Sequence, residues 1–173
     1  GPSDFVENFS ELNIAPIAIS YQYEPCDIKK AIETTVNLMG GTYQKGKNED
    51  VNSILYGIRM PKGDVNITIC EPITREELEE CGKLPKAEAY KMLKEIIDNR
   101  IYKNYKLHDT NYIAHDILHR SKQYAEYYTP LAVKKFKGRM AYAEARFMEY
   151  GLDLKTARKI YLGIYAGPVD TKI

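Results

Sequence analysis

All three histidines of the 173-residue chain, His108, His115 and His119, fall within twelve positions of one another. The run His115-Asp116-Ile117-Leu118-His119 places two imidazoles one helical turn apart, the spacing with which a helix can grip a metal ion. A metalloprotease would need Glu where Asp116 stands, and a third ligand besides. Asp is a shorter base with less reach, so the run reads as an amphipathic helix with surface histidines, and no metal is expected. Glu24 and Glu71 each precede a proline at the C-terminal end of an apparent strand, where open α/β sheets collect their ligands. The commoner role of Glu-Pro is to stop a strand. Cys26 and Cys70 sit at the same two strand ends, with nothing beside them in sequence to activate a thiolate, so core filling is the expectation. Lys134, Lys135, Lys137, Arg139 and Arg146 alternate with Phe136, Met140 and Phe147. Such a helix suits an anionic bilayer or, equally, packing on a helical tail.

The elements that would position these groups follow from periodicity. Leu12, Ile14, Ala15, Ile17, Ala18 and Ile19 form a nearly continuous apolar run, which predicts a strand from Leu12 to Tyr23 covered on both faces, as in a parallel sheet flanked by helices. Glu24-Pro25-Cys26-Asp27 breaks it, and Asp27 caps a helix from Ile28 to Met39 that Gly40-Gly41 ends. A short helix is expected over 48–56. Pro61-Lys62-Gly63-Asp64 is a turn into a second strand, Val65 to Cys70, with Val65, Ile67 and Ile69 on one face. Thr74 and Glu77 form a capping box for a helix from Arg75 to Cys81. A longer helix from Pro85 to Lys106 carries an apolar stripe of Tyr90, Leu93, Ile96, Ile97 and Ile101, expected to cover the sheet. Beyond His108 only helices remain, at 111–120, 131–150 and 154–165.

Composition bounds the reading. With Lys+Arg 25 against Asp+Glu 24, bulk charge gives no support to a nucleic-acid partner. Three scattered cysteines are too few for a disulfide framework, which favours a reducing compartment. No apolar run approaches the roughly 18 residues of a membrane span. The chain is therefore expected to be cytoplasmic, with any contact at the inner membrane peripheral. Tyrosine is unusual, with 15 copies beside no Trp and four Phe; tyrosine-rich helices suit half-buried surfaces, including partner or bilayer interfaces, and the commoner reading is helix packing in a small helical subdomain. Gly1, Pro2 and Ser3 are set aside from the fold.

Two strands are too few for an ordinary α/β sheet. The fold expected is an α/β fragment, helix-rich with few strands, over 1–106, followed by an all-helical extension over 107–173.

The block Ile14-Ala15-Pro16-Ile17-Ala18-Ile19 resembles the fourth sequence block of the glycerolipid acyltransferases, and Ile67-Thr68-Ile69-Cys70-Glu71-Pro72-Ile73 is similar to the strand that follows it there. Three further phrases, Ile19 to Asp27, Asn111 to Leu118 and Ile164 to Val169, look like the C-terminal part of the larger enzymes of this type from Bacteroidetes, which tend to have Tyr at the position of His115. The resemblance covers nearly the whole chain. It implies acyl transfer from a thioester carrier, coenzyme A or acyl carrier protein, to glycerol 3-phosphate or a lysolipid, for phospholipid biosynthesis, with no cofactor. The family's catalytic His-x4-Asp is missing: five positions after His108, His115 and His119 stand Ile113, Arg120 and Tyr124. The Phe-Pro-Glu-Gly-Thr-like block is absent too. An acceptor hydroxyl without a positioned base or oxyanion donors gains little rate. The expectation is a non-catalytic segment, inactive alone, that supplies scaffold and pocket wall, with Pro16, Ile17 and Tyr21 lining the substrate site. The alternative is a self-contained α+β interaction module, non-enzymatic, with tyrosine-rich helices.

Overall fold

Phe5, Val6 and Phe9 fall on one side of a helical turn, and they open the chain as a helix rather than a loop. The computed structural model describes residues 2–172, so Gly1 lies outside the described residues. Pro2 and Ser3 belong to helix α1 (Pro2–Leu12). Asn13, in the left-handed region at φ 47, turns the chain out of this helix. Strand β1 is consequently Ile17–Tyr21. The remaining elements are α2 (Asp27–Leu38), α3 (Glu49–Arg59), β2 (Val65–Ile69), α4 (Arg75–Gly82), α5 (Lys86–Asn104), α6 (Asp109–His119), a 3-10 turn (Ala125–Tyr127), α7 (Pro130–Glu149) and α8 (Leu154–Lys172). The chain is thus helix-rich with few strands and ends in helices, as its sequence leads one to expect. The parallel sheet is not found. β1 and β2 form a two-stranded antiparallel pair, in which Pro16 O accepts from Cys70 N at 2.9 Å at one end.

Residues 2–20 and 66–106 form one compact unit, and residues 21–65 and 107–171 form another. The chain changes unit after Lys106, and segment 21–65 belongs with the helical residues beyond 107. In the first unit Val6, Ile73, Leu78, Cys81, Ala89 and Leu93 are buried together, with Phe5, Phe9, Ile14, Ile96 and Ile97 packed around them. Two aromatic contacts close the cluster: Tyr90 meets Phe5 edge-on at 5.5 Å and Phe9 at 5.8 Å. The capping box at the start of α4 is formed as the sequence implies, Glu77 N donating to Thr74 Oγ1 and Thr74 N to Glu77 Oε2. Arg100 then reaches both oxygens of Glu77 at 2.8 Å, tying α5 to α4.

The second unit is built on small residues against aromatics. Ala143, Ala157 and Ala166 are fully buried beside Phe136, Phe147 and Tyr161; short side chains on facing helices let the rings interleave at interior density. Thr129 caps α7 through Ala132 N, with Pro130 in the first turn. Gly63 stands at φ 64 in the turn before β2, in the left-handed region, where a Cβ would lie 3.0 Å from both Gln22 Cβ and Tyr23 Cδ2, so a larger residue would be strained. α8 runs past the 154–165 expected for it and includes Pro168. Burial of Val169, 1% exposed, rewards continuing the helix beyond a proline that removes one hydrogen bond.

Burial along β1 corrects a second expectation. Ala18 and Ser20 are each 1% exposed, whereas Ile17 and Ile19 are 50% and 44% exposed. One face is covered and the other is open. On β2 every apolar residue, Val65, Ile67 and Ile69, is exposed. Among the described residues no further strand flanks the pair, so each strand keeps an unpaired edge.

Candidate functional site

Pro16, Ile17 and Tyr21 were expected to line a substrate site. Pro16 is buried immediately before β1, where its missing N–H interrupts no ladder bond. Ile17 and Tyr21 lie two pleats apart on one strand and therefore point to the same side, Ile17 exposed and Tyr21 half-buried. That side also carries Ile19 and is the uncovered apolar face of the sheet.

Asp27 does far more than start α2. Its carboxylate is 2% exposed and accepts from Ile28 N at 2.8 Å, from Arg139 Nε at 2.8 Å and from Tyr165 Oη at 2.6 Å. Arg139 also donates to Glu24 O at 3.1 Å and lies over the Tyr23 ring. Burial works against the guanidinium charge, yet the hydrogen bonds and charge of Asp27 raise the Arg139 pKa above its ordinary value. Burial, reinforced by the neighbouring Tyr161 and by Asp27, raises that of Tyr165. Neither group can move a proton at neutral pH, so the cluster fastens α2, α7 and α8 together.

Asp116 is a comparable anchor at the end of α6. It accepts from Ser121 Oγ at 2.5 Å, Tyr128 Oη at 2.7 Å and Tyr124 N at 3.1 Å. Burial alone would raise its pKa, but those donors outweigh it and hold the carboxyl below its usual value. Burial, then the bond to Asp116, pushes Tyr128 up to about 12.

A groove of about 1370 Å³ opens in the second unit. Leu38, Ile117, Leu118, Met140 and Leu162 line it together with Arg120, Lys137, Lys155, Arg158 and Lys159. Asp153 is the one acidic residue of that lining; Glu144 engages Arg158 at 2.6 Å. A groove lined by both apolar side chains and five cations suits a molecule with a greasy body and an anionic end. Lys137 lies on the basic helix that the sequence predicts, but Phe136, Met140 and Phe147 of that helix are buried in the core. The apolar side of α7 is therefore already occupied.

The other candidates divide. Glu24 is spent locally, on Cys26 N and Lys30; Glu71 is exposed. Cys70 and Cys81 are buried, and burial raises the Cys81 thiol, whereas Cys26 is half-buried with its Sγ 3.8 Å from Ser53 O. The histidines expected at the surface divide: His119 is exposed, but His115 is buried by the packing around α6, and a nitrogen of each lies within 4.8 Å of an Asp170 carboxylate oxygen. Asp170 and Asp27 escaped sequence reading as site residues because their partners are supplied by helices far away in the chain. Among the described residues no helix is long and apolar enough to cross a membrane. Comparison with protein-family models, with curated proteins and with solved structures finds no match.

Proposed function

We propose that the chain is the C-terminal part of a glycerolipid-type acyltransferase, contributing scaffold and pocket wall while a His-x4-Asp block elsewhere in the parent protein supplies the base. The observation that carries this reading is the uncovered sheet. β1, which Pro16 immediately precedes, leaves Ile17 and Ile19 half exposed, and β2 leaves Ile67 and Ile69 63% and 75% exposed. Strand edges and apolar faces of this kind ask for further strands or a covering layer. A preceding half-domain would provide both.

In the parent reaction the acceptor hydroxyl of glycerol 3-phosphate or a lysolipid attacks the thioester carbonyl. The base removes its proton, and the thiol of the carrier leaves. The residues of this chain would act by shape: Pro16 sets the start of the strand, while Ile17 and Tyr21 present one apolar and one amphipathic side chain toward the acyl or acceptor pocket. The cationic groove is compatible with the phosphate-bearing lipids of such a pathway.

Reading the coding sequence upstream of residue 1 tests the proposal. A His-x4-Asp block within about 200 residues, one domain's length, supports it; an upstream region without that block sinks it. The uncovered faces also suit the interaction module considered above. An upstream region with no catalytic block, together with capture of a partner that buries Ile67 and Ile69, would favour that module.

A further inference from the structure

Two imidazoles one turn apart become a ligand set only when a third donor arrives, and α8 brings one. His115 and His119 on α6 and Asp170 on α8 place one ligand atom each within 4.8 Å of one another. The two rings stand 4.3 Å apart between centroids. His115 Nε2 lies 3.3 Å from Asp170 Oδ1. That separation is longer than a charge-assisted hydrogen bond, about 2.7–2.9 Å. It equals the edge of a tetrahedral zinc site, because two bonds of about 2.0–2.1 Å at the tetrahedral angle set their donors about 3.3 Å apart.

The second nitrogen gives independent support. His115 Nδ1 is buried and has no hydrogen-bond partner. Asp116 Oδ1, 3.7 Å away, is its nearest carboxylate. Asp116 is itself locked by Ser121, Tyr124 and Tyr128. A modest turn of the ring would seat Nδ1–H on that fixed carboxylate and leave Nε2 as the metal donor. This is the carboxylate–histidine–metal arrangement that orients zinc ligands and raises their basicity. His119 and Asp170 are exposed, so an ion has access and the two side chains are free to close the remaining distance.

We propose that His115, His119 and Asp170 bind a divalent transition-metal ion of the zinc type, with Asp116 as the residue that orients His115. Two nitrogens and one carboxylate oxygen suit zinc, and cobalt as its spectroscopic substitute. Three protein ligands leave the fourth position to water. The ion clips the last turns of α8 to α6, so it stabilises the second unit in proportion to its concentration.

Isothermal titration of the purified chain with zinc chloride is the test, beside the variants His119→Gln and Asp170→Asn. Both positions are exposed, so neither change should impair folding. The expected result is one zinc per chain, affinity weakened at least tenfold in each variant, and a zinc-dependent rise in melting temperature that both variants lose. Cobalt should give a tetrahedral absorption band in the parent chain only. Cys26→Ser should leave all of this unchanged. Absence of zinc binding, or equal affinity in both variants and the parent, would overturn the site; so would loss of binding on Cys26→Ser.

Discussion

Removing the buried charge of Asp27 offers the sharpest check on how the second unit is held together. Asp27→Asn keeps the side-chain shape but replaces Oδ2 with an NH2 group that faces two donors, Arg139 Nε at 2.8 Å and Tyr165 Oη at 2.6 Å. The tyrosine hydroxyl can rotate to accept; the guanidinium cannot. Arg139, whose side chain is 21% exposed, is left without its counter-charge. Breaking one side of a buried pair costs about 3–5 kcal/mol, and the partial exposure of the arginine puts this case near 3. For a chain of this size, about 3 kcal/mol lowers the melting temperature by roughly 6–12 °C, read by circular dichroism. Arg139→Met should cost a similar amount. The double variant Asp27→Asn with Arg139→Met should cost less than the sum of the same two single changes by about 2 kcal/mol, since it leaves no orphan charge. Because the pair is buried, raising salt to about 0.5 M should scarcely alter the result. Additive single-variant costs, within about 0.5 kcal/mol, would refute the argument that the two groups stabilise one another.

Three further outcomes are expected. Asp116 has a folded-state pKa below 3.8, so its contribution to stability is present above the unfolded-state pKa and is lost as pH falls through the folded one; Asp116→Asn should flatten the acid side of the stability profile below about pH 4, and an unchanged profile would remove Asp116 from the account. Lysine at Ile67 and Ile69 should abolish any concentration-dependent association seen in sedimentation while changing stability by no more than about 0.5 kcal/mol per site, as for other exposed positions; persistence of the same oligomers would show that the sheet face does not drive them. Lysophosphatidate should bind the groove, and Lys155→Glu with Lys159→Glu should weaken it at least tenfold at low salt, with much less effect on an uncharged lysolipid of equal chain length; equal loss for both lipids would mean that the cations do not read the phosphate.

Much of the architecture is legible locally. The Thr74–Glu77 box, Thr129-Pro130 and the 3.6-residue stripes locate helices from nearby residues alone. The helix over residues 2–12 is not, because its Phe5, Val6, Phe9 stripe is short and Leu12, at the helix end, runs on into the apolar residues of the strand, so that one apolar run spans two elements. Continuous hydrophobicity also misreported the sheet. Ile17 and Ile19 imply a second covered face, but whether a layer covers it depends on contacts that the strand's own sequence does not encode. The site residues divide the same way. His115 and His119 announce themselves by spacing, whereas Asp170, fifty-one residues further on than His119, joins them only through the packing of α8 on α6. Asp27 likewise reads as an ordinary cap until Arg139 and Tyr165 converge on it.

Acyl transfer itself is the most direct test. A radiolabelled acyl thioester should be offered, with glycerol 3-phosphate or lysophosphatidate, to the 173-residue chain and to the longer protein that the proposal requires. The account predicts no product from the 173 residues alone, turnover by the longer protein, and a strong reduction on Ile17→Asp in that protein. Transfer by the isolated chain, or an intact longer protein that transfers nothing to either acceptor, would contradict it.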